Sequence, residues 1–216
     1  MNILQTLSIW VLPVLFAVTL HEVAHGLTAR HFGDLTAEQA GRLSLNPLRH
    51  IDPIGTVLVP AVLLVVGGFV FGWAKPVPVD PRRMRNPKRD MAVVAVAGPL
   101  SNLVMALGWA VVARIGLALL GEWEWAAKPM IYMGQAGIVI NLILMLLNLL
   151  PLPPLDGGRV VAGVLPNELA RRYSLIEPYG LFILLGLLFL GILGKLLSGP
   201  FEVLKTAIFQ VFNLPF

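Results

Sequence analysis

No cysteine occurs in the 216 residues, and histidine occurs only four times. Without thiols there is no disulfide, no thiolate metal ligand and no cysteine nucleophile, so any bound metal must rest on histidine or carboxylate. Charge is scarce as well: Asp, Glu, Lys and Arg make up 13% of the chain against 57% hydrophobic residues, and mean hydropathy is +0.81. Soluble domains carry about 25% charged residues. A water-exposed globule is therefore excluded, and lipid is the solvent this sequence is built for. No internal repeat or low-complexity tract is visible. The formal charge of +4 could suit nucleic acid. In a membrane chain, however, basic residues collect in loops facing anionic lipid, and no nucleic-acid partner is expected.

What the chain does have is long apolar runs, at 3–29, 54–71, 91–120, 131–150 and 178–197. The first has no basic leader and no small-residue cleavage site, and it runs straight into His21, Glu22 and His25, so it reads as a retained span. The second is short, with Pro60 near its middle and Gly67-Gly68 near its end, and reads as re-entrant rather than crossing. Lys and Arg support this. Arg30, Arg42 and Arg49 follow the first run, Lys75 to Arg89 the second, and Arg159, Arg171 and Arg172 the fourth. All these loops belong on the cytoplasmic side if 54–71 does not cross, while Glu122 to Trp125 suits the outer interface.

The expected fold is an all-α polytopic membrane protein, a single domain over residues 1–216. It has four spans (3–29, 91–120, 131–150 and 178–197), the re-entrant segment 54–71, and an interfacial helix at 201–212, where Phe201, Leu204 and Ile208 share a face. Short membrane-edge strands are expected at 42–46, where polar and apolar residues alternate, and at the proline-punctuated 75–79.

Chemistry enters at His21-Glu22-Val23-Ala24-His25. On a helix, residues four apart lie on one face, so both imidazoles can reach one zinc ion while Glu22 flanks it. Three ionisable groups within about one turn of a lipid-embedded helix are costly to keep without a use. His31 and His50 fall out of register and read as interfacial, His50 being the one that could support the site from behind. A third ligand is required. Asp34 and Glu38 follow Gly33 in a polar loop. Asp156 ends a proline-rich break in a long apolar run, and non-helical backbone at membrane depth needs a wet or protein-lined cavity. Asp-Gly-Gly is also ordinary turn chemistry. Depth decides for Asp156, because with 54–71 re-entrant the first and fourth runs end at the same level.

In this combination and order, three motifs resemble the site-2 protease family of intramembrane zinc metalloproteases. They are His21-Glu22-Val23-Ala24-His25-Gly26, Ala97-Gly98-Pro99-Leu100-Ser101-Asn102, and Asn148 with Pro151 and Asp156-Gly157-Gly158-Arg159. Gly72-Trp73-Ala74-Lys75-Pro76-Val77-Pro78-Val79 with Asn86-Pro87 is similar to its compact bacterial branch. The resemblance implies that His21, His25 and Asp156 ligate one zinc per chain and that Glu22 is the general acid/base. It further implies that Asn148 lies nearby to hold substrate or oxyanion, that Gly98 and Pro99 allow close helix packing, and that Asn102 gives polar support or a local hydrogen bond. The function it implies is hydrolysis of peptide bonds in transmembrane or membrane-proximal substrates near the cytoplasmic face of a bacterial inner membrane, as in regulated intramembrane proteolysis. The rival reading is a zinc-binding membrane chaperone without hydrolysis, or a metal transporter. Transport asks for more than one metal station, and 91–120 and 131–150 hold neither histidine nor carboxylate.

Overall fold

A helix that must satisfy its own backbone in lipid is the default for each of these runs, and the structure, a computed structural model, is helical throughout its long segments. It describes residues 3–59, 62, 72 and 74–215. Helix α1, Ile3–His31, ends where Gly33 adopts φ +105 and turns the chain into the short α2, Thr36–Gln39. Helix α3, Pro87–Ala118, starts on a proline, whose missing N–H costs nothing in the first turn. Asp90 Oδ2 accepts from Asn86 N at 2.8 Å, closing that end with a carboxylate-to-backbone cap. Helix α4, Glu124–Asn148, returns across the molecule. Then come α5, Asp156–Val164, α6, Asn167–Ser174, α7, Gly180–Phe189, and α8, Ile192–Val211.

Helices α3 and α4 pair most extensively, and α1 lies across both. Small residues make this possible: Ala106, Ala110 and Ala113 of α3 and Ala127, Gly134 and Gly137 of α4 are buried. Between lipid-embedded helices, association rests on close van der Waals contact rather than hydrophobic expulsion, so small side chains bring the backbones together. Ile138, Leu142 and Met145 of α4 join Ile208 and Phe209 of α8 in the main apolar cluster. The outside is apolar too, with Leu4, Leu7, Val104, Ile115 and Phe182 exposed. Four helical stretches are long and apolar enough to cross a bilayer: Leu4–His31, Pro87–Ala118, Glu124–Asn148 and Asn167–Phe189. Trp123 and Trp125, ring centroids 6.3 Å apart, mark the α3–α4 turn, as interfacial aromatics do.

Three expectations need revision. Residues 42–46 and 75–79 are not helical, but no strand forms among the described residues. Pro76 and Pro78 strip the donors from one edge of 75–79, which blocks a ladder there. On the other edge, Lys75 N donates to His50 O (2.9 Å) and Val77 N to Glu22 Oε2 (2.7 Å), so side chains and a loop take the place of a partner strand. The apolar run 178–197 is not one helix either. It breaks at Gly191, whose φ of +68 separates α7 from α8, and α8 absorbs the helix expected at 201–212. His50, expected at the interface, is buried, its Nε2 lying 2.9 Å from Ser44 O. The run expected to be re-entrant starts with a helical turn at Pro53–Leu58, capped by Asp52 Oδ1 accepting from Ile54 N and Gly55 N. Most of the remainder of 54–71 lies outside the described residues.

Candidate metal centre

Helix α1 carries His21 and His25 one turn apart on the face turned toward α3 and α4, and both are buried. Asp156 comes from the other direction, as the first residue of α5 after the 149–155 turn. Gly157 lets that first turn of α5 press against the chain it has just left, since a Cβ there would collide with the carbonyls of Leu149 and Leu150. Asp156 Oδ2 is thereby placed 3.3 Å from His21 Nε2 and 3.2 Å from His25 Nε2, and the two Nε2 atoms are 3.0 Å apart.

With both rings neutral, no proton lies between these three atoms. His25 Nδ1 lies 2.7 Å from the Val94 carbonyl of α3, which can only accept, so the ring hydrogen is on Nδ1 and Nε2 presents a lone pair. His21 Nδ1 lies 2.6 Å from Asn102 Oδ1. The Asn102 amide is oriented by its own donations to Ala17 O (3.3 Å) and Asn141 Oδ1 (2.9 Å), so its oxygen faces the ring and His21 likewise carries its hydrogen on Nδ1. Two lone pairs and a carboxylate oxygen thus converge in a buried space, and among the described residues Asp156 Oδ2 has no hydrogen-bond donor. Such an arrangement is repulsive unless a cation sits among the donors. These atoms form a group able to hold a metal ion. Two imidazoles and a carboxylate suit zinc and leave a fourth position open.

The wall behind the histidines is backbone. A Cβ at Gly98 of α3 would fall 2.5 Å from His25 Cε1 and 2.6 Å from His21 Cε1, so glycine at this point is what lets α3 approach the rings. The close packing expected for Gly98 is therefore packing against the two histidine rings themselves.

Glu22, partly exposed, faces the 75–79 stretch, where its Oε2 accepts from Val77 N. Among the described residues its Oε1 has no hydrogen-bond partner. Asn148, at the end of α4, turns its Nδ2 back onto Leu144 O at 2.9 Å. Asp34 and Glu38 stand apart from the histidine pair. Asp34 is fully buried and holds Thr36 N and Asp80 N, and Glu38 pairs with Arg30 at 3.4 Å on the surface. His31 is exposed. Sequence reasoning missed Asn141 and the Val94 carbonyl. Asn141 did carry a signal, as a polar residue in the middle of an apolar run; a backbone carbonyl carries none.

Comparisons with known proteins point to zinc metalloproteases. The sequence model described as "Peptidase family M50" matches residues 115–191. "Putative zinc metalloprotease YwhC" of Bacillus subtilis (strain 168) is 38% identical over 93% of this chain and 92% of its own. "Putative zinc metalloprotease Rip2" of Mycolicibacterium smegmatis is 31% identical over 81% of this chain and 64% of its own length. Its namesake from Mycobacterium tuberculosis (strain H37Rv) is 30% identical over 79% and 62%. No solved structure matches.

Proposed function

The chain belongs to peptidase family M50, the site-2 proteases, and from that premise we propose that it cleaves peptide bonds in transmembrane or membrane-proximal segments of other proteins. It is an integral membrane zinc metalloprotease. The observation that carries the reading is the convergence of His21 Nε2, His25 Nε2 and Asp156 Oδ2 within 3.3 Å of one another in a buried space. In this reading those three residues hold one zinc ion per chain. When bound, zinc supplies Lewis acidity toward a carbonyl oxygen and lowers the pKa of water to about 7.

The remaining work falls to the chain's own groups. Glu22 Oε2 is steadied by Val77 N, which leaves Oε1 to take the proton from the attacking water and pass it to the departing amine. Asn148 has a second amide hydrogen beyond the one spent on Leu144 O, and we assign that donor to the substrate carbonyl or the oxyanion it becomes. A helical substrate hides its carbonyls in bonds to residues four along, so the segment to be cut must first unwind. The basic loops favour a site opening to the cytoplasmic face of a bacterial inner membrane, with 54–71 as a re-entrant segment of a single domain. Cleavage there would release substrate from the membrane, which is the logic of regulated intramembrane proteolysis.

Glu22→Gln tests the reading. Zinc content should stay at about one per chain while cleavage of a membrane-spanning test peptide falls by roughly 10²–10⁴-fold or more. Cleavage at the wild-type rate would overturn the assignment of Glu22. A zinc-holding protein without hydrolysis, such as a chaperone or transporter, would show no cleavage even before the substitution. Among the described residues His21, His25 and Asp156 are the one such metal-binding group, which disfavours transport.

A further inference from the structure

His21 and His25 fix the position of their ring hydrogens by different means. His25 Nδ1 meets a backbone carbonyl, Val94 O, whose polarity cannot be reversed. His21 Nδ1 meets a side-chain amide, Asn102, which has an oxygen on one side and a nitrogen on the other. Were that amide turned over, its NH₂ would face His21 and call for a lone pair on Nδ1, sending the ring hydrogen to Nε2, the atom aimed at Asp156. A ring in that form cannot ligate through Nε2. Something must therefore hold the Asn102 amide the right way round.

Two acceptors do so. Ala17 O, on α1, is 3.3 Å from Asn102 Nδ2, a long bond, and Asn141 Oδ1, on α4, is nearer at 2.9 Å. Asn141 could itself be turned over, but its own Nδ2 donates at 2.8 Å to Gly137 O, a carbonyl of its own helix. Both asparagines are completely buried, so no water competes. The direction of polarity thus runs from the Gly137 carbonyl through Asn141 and Asn102 to the His21 ring, joining α4, α3 and α1.

We infer that Asn141 is a positioning residue of the metal centre: by holding the Asn102 amide in one orientation, it keeps the lone pair of His21 on Nε2, where zinc needs it. The inference rests on the zinc-binding reading above, but it concerns a residue that touches neither metal nor substrate. Partners of this kind behind a metal-binding imidazole typically shift metal affinity about 10–100-fold when removed. Because Ala17 O still favours the correct orientation, the loss on removing Asn141 belongs at the lower end.

Zinc dissociation constants of the full chain, measured in detergent by competition with a chromophoric chelator, provide the test. Asn141→Ala should weaken zinc about tenfold and Asn102→Leu about 10–100-fold. The double variant should be no weaker than Asn102→Leu alone, within about twofold, because Asn141 acts only through Asn102. Asn141→Asp should rescue: buried and protonated, its carboxyl both accepts from Asn102 and donates to Gly137 O, and zinc should bind within about threefold of wild type. In zinc-free protein labelled with ¹⁵N-histidine, Asn141→Ala should raise the share of His21 carrying its hydrogen on Nε2, a signature that loss of packing alone would not give. Asn141→Leu, of similar volume, carries the same affinity and spectral expectations where alanine leaves a cavity the fold does not tolerate. Wild-type zinc affinity in the alanine or leucine variant, or an added loss in the double variant, would overturn the proposal. His21→Ala separates the two readings, since it must lose zinc if the centre is right, whatever Asn141 does.

Discussion

Asp34 and Asp156 are both buried carboxylates that close a junction between distant segments, yet they are satisfied in opposite ways. Asp34 Oδ1 accepts from Thr36 N at 3.0 Å and from the Thr36 hydroxyl, and Oδ2 accepts from Asp80 N at 2.7 Å. Donors on both sides make it a staple between the end of α1 and the stretch leading to α3. Asp156 Oδ2 looks instead at two imidazole Nε2 atoms and, among the described residues, at no hydrogen-bond donor. Burial does not distinguish the two residues; the polarity of their surroundings does. A carboxylate ringed by N–H and O–H groups is complete, whereas one ringed by other acceptors is half of something.

Exchanging one oxygen for nitrogen at each position should separate them most widely. Asp156→Asn should drop the zinc content of purified protein from about one to below about 0.1 per chain, read by elemental analysis, since the charge that balances the ion is gone. Zinc retained at full stoichiometry would erase the contrast. Gly98→Ala attacks the same region without touching a ligand. Its methyl would press on both histidine rings, and zinc affinity should fall about 10–100-fold, comparable to losing a supporting residue. The smallest effect belongs to Asp34→Asn. Turning one acceptor into a donor in that staple should cost about 1–3 kcal/mol of stability, seen as a lower unfolding temperature, while leaving zinc content unchanged. Loss of zinc in Asp34→Asn would show that the two junctions are coupled after all.

Much of the candidate metal centre was legible because its geometry is local. The spacing of His21 and His25 is a property of any helix, and Asp156 announced itself by interrupting an apolar run with prolines. The support behind the histidines was not legible to the same degree. Asn102 and Asn141 are 39 residues apart, and nothing in either stretch says that their amides meet. The non-helical 75–79 was recognised, but its partners were not: a strand and a peptide held by Glu22 and a loop carbonyl look alike until the acceptors are known. The break at Gly191 was hidden for a similar reason. Glycine within an apolar run fits a packed membrane helix as well as it fits a left-handed turn, and only the tertiary path decides between them.

Glu22 receives its protein hydrogen bond from a peptide N–H and not from a side chain. Every residue except proline brings the same N–H to position 77, so side-chain substitution there leaves the donor itself in place. In its proposed role of proton transfer, Glu22 is thus insulated from sequence drift in the stretch that steadies it. Its fidelity depends on the path the main chain takes, which drift elsewhere in that stretch can bend but no single new side chain can replace.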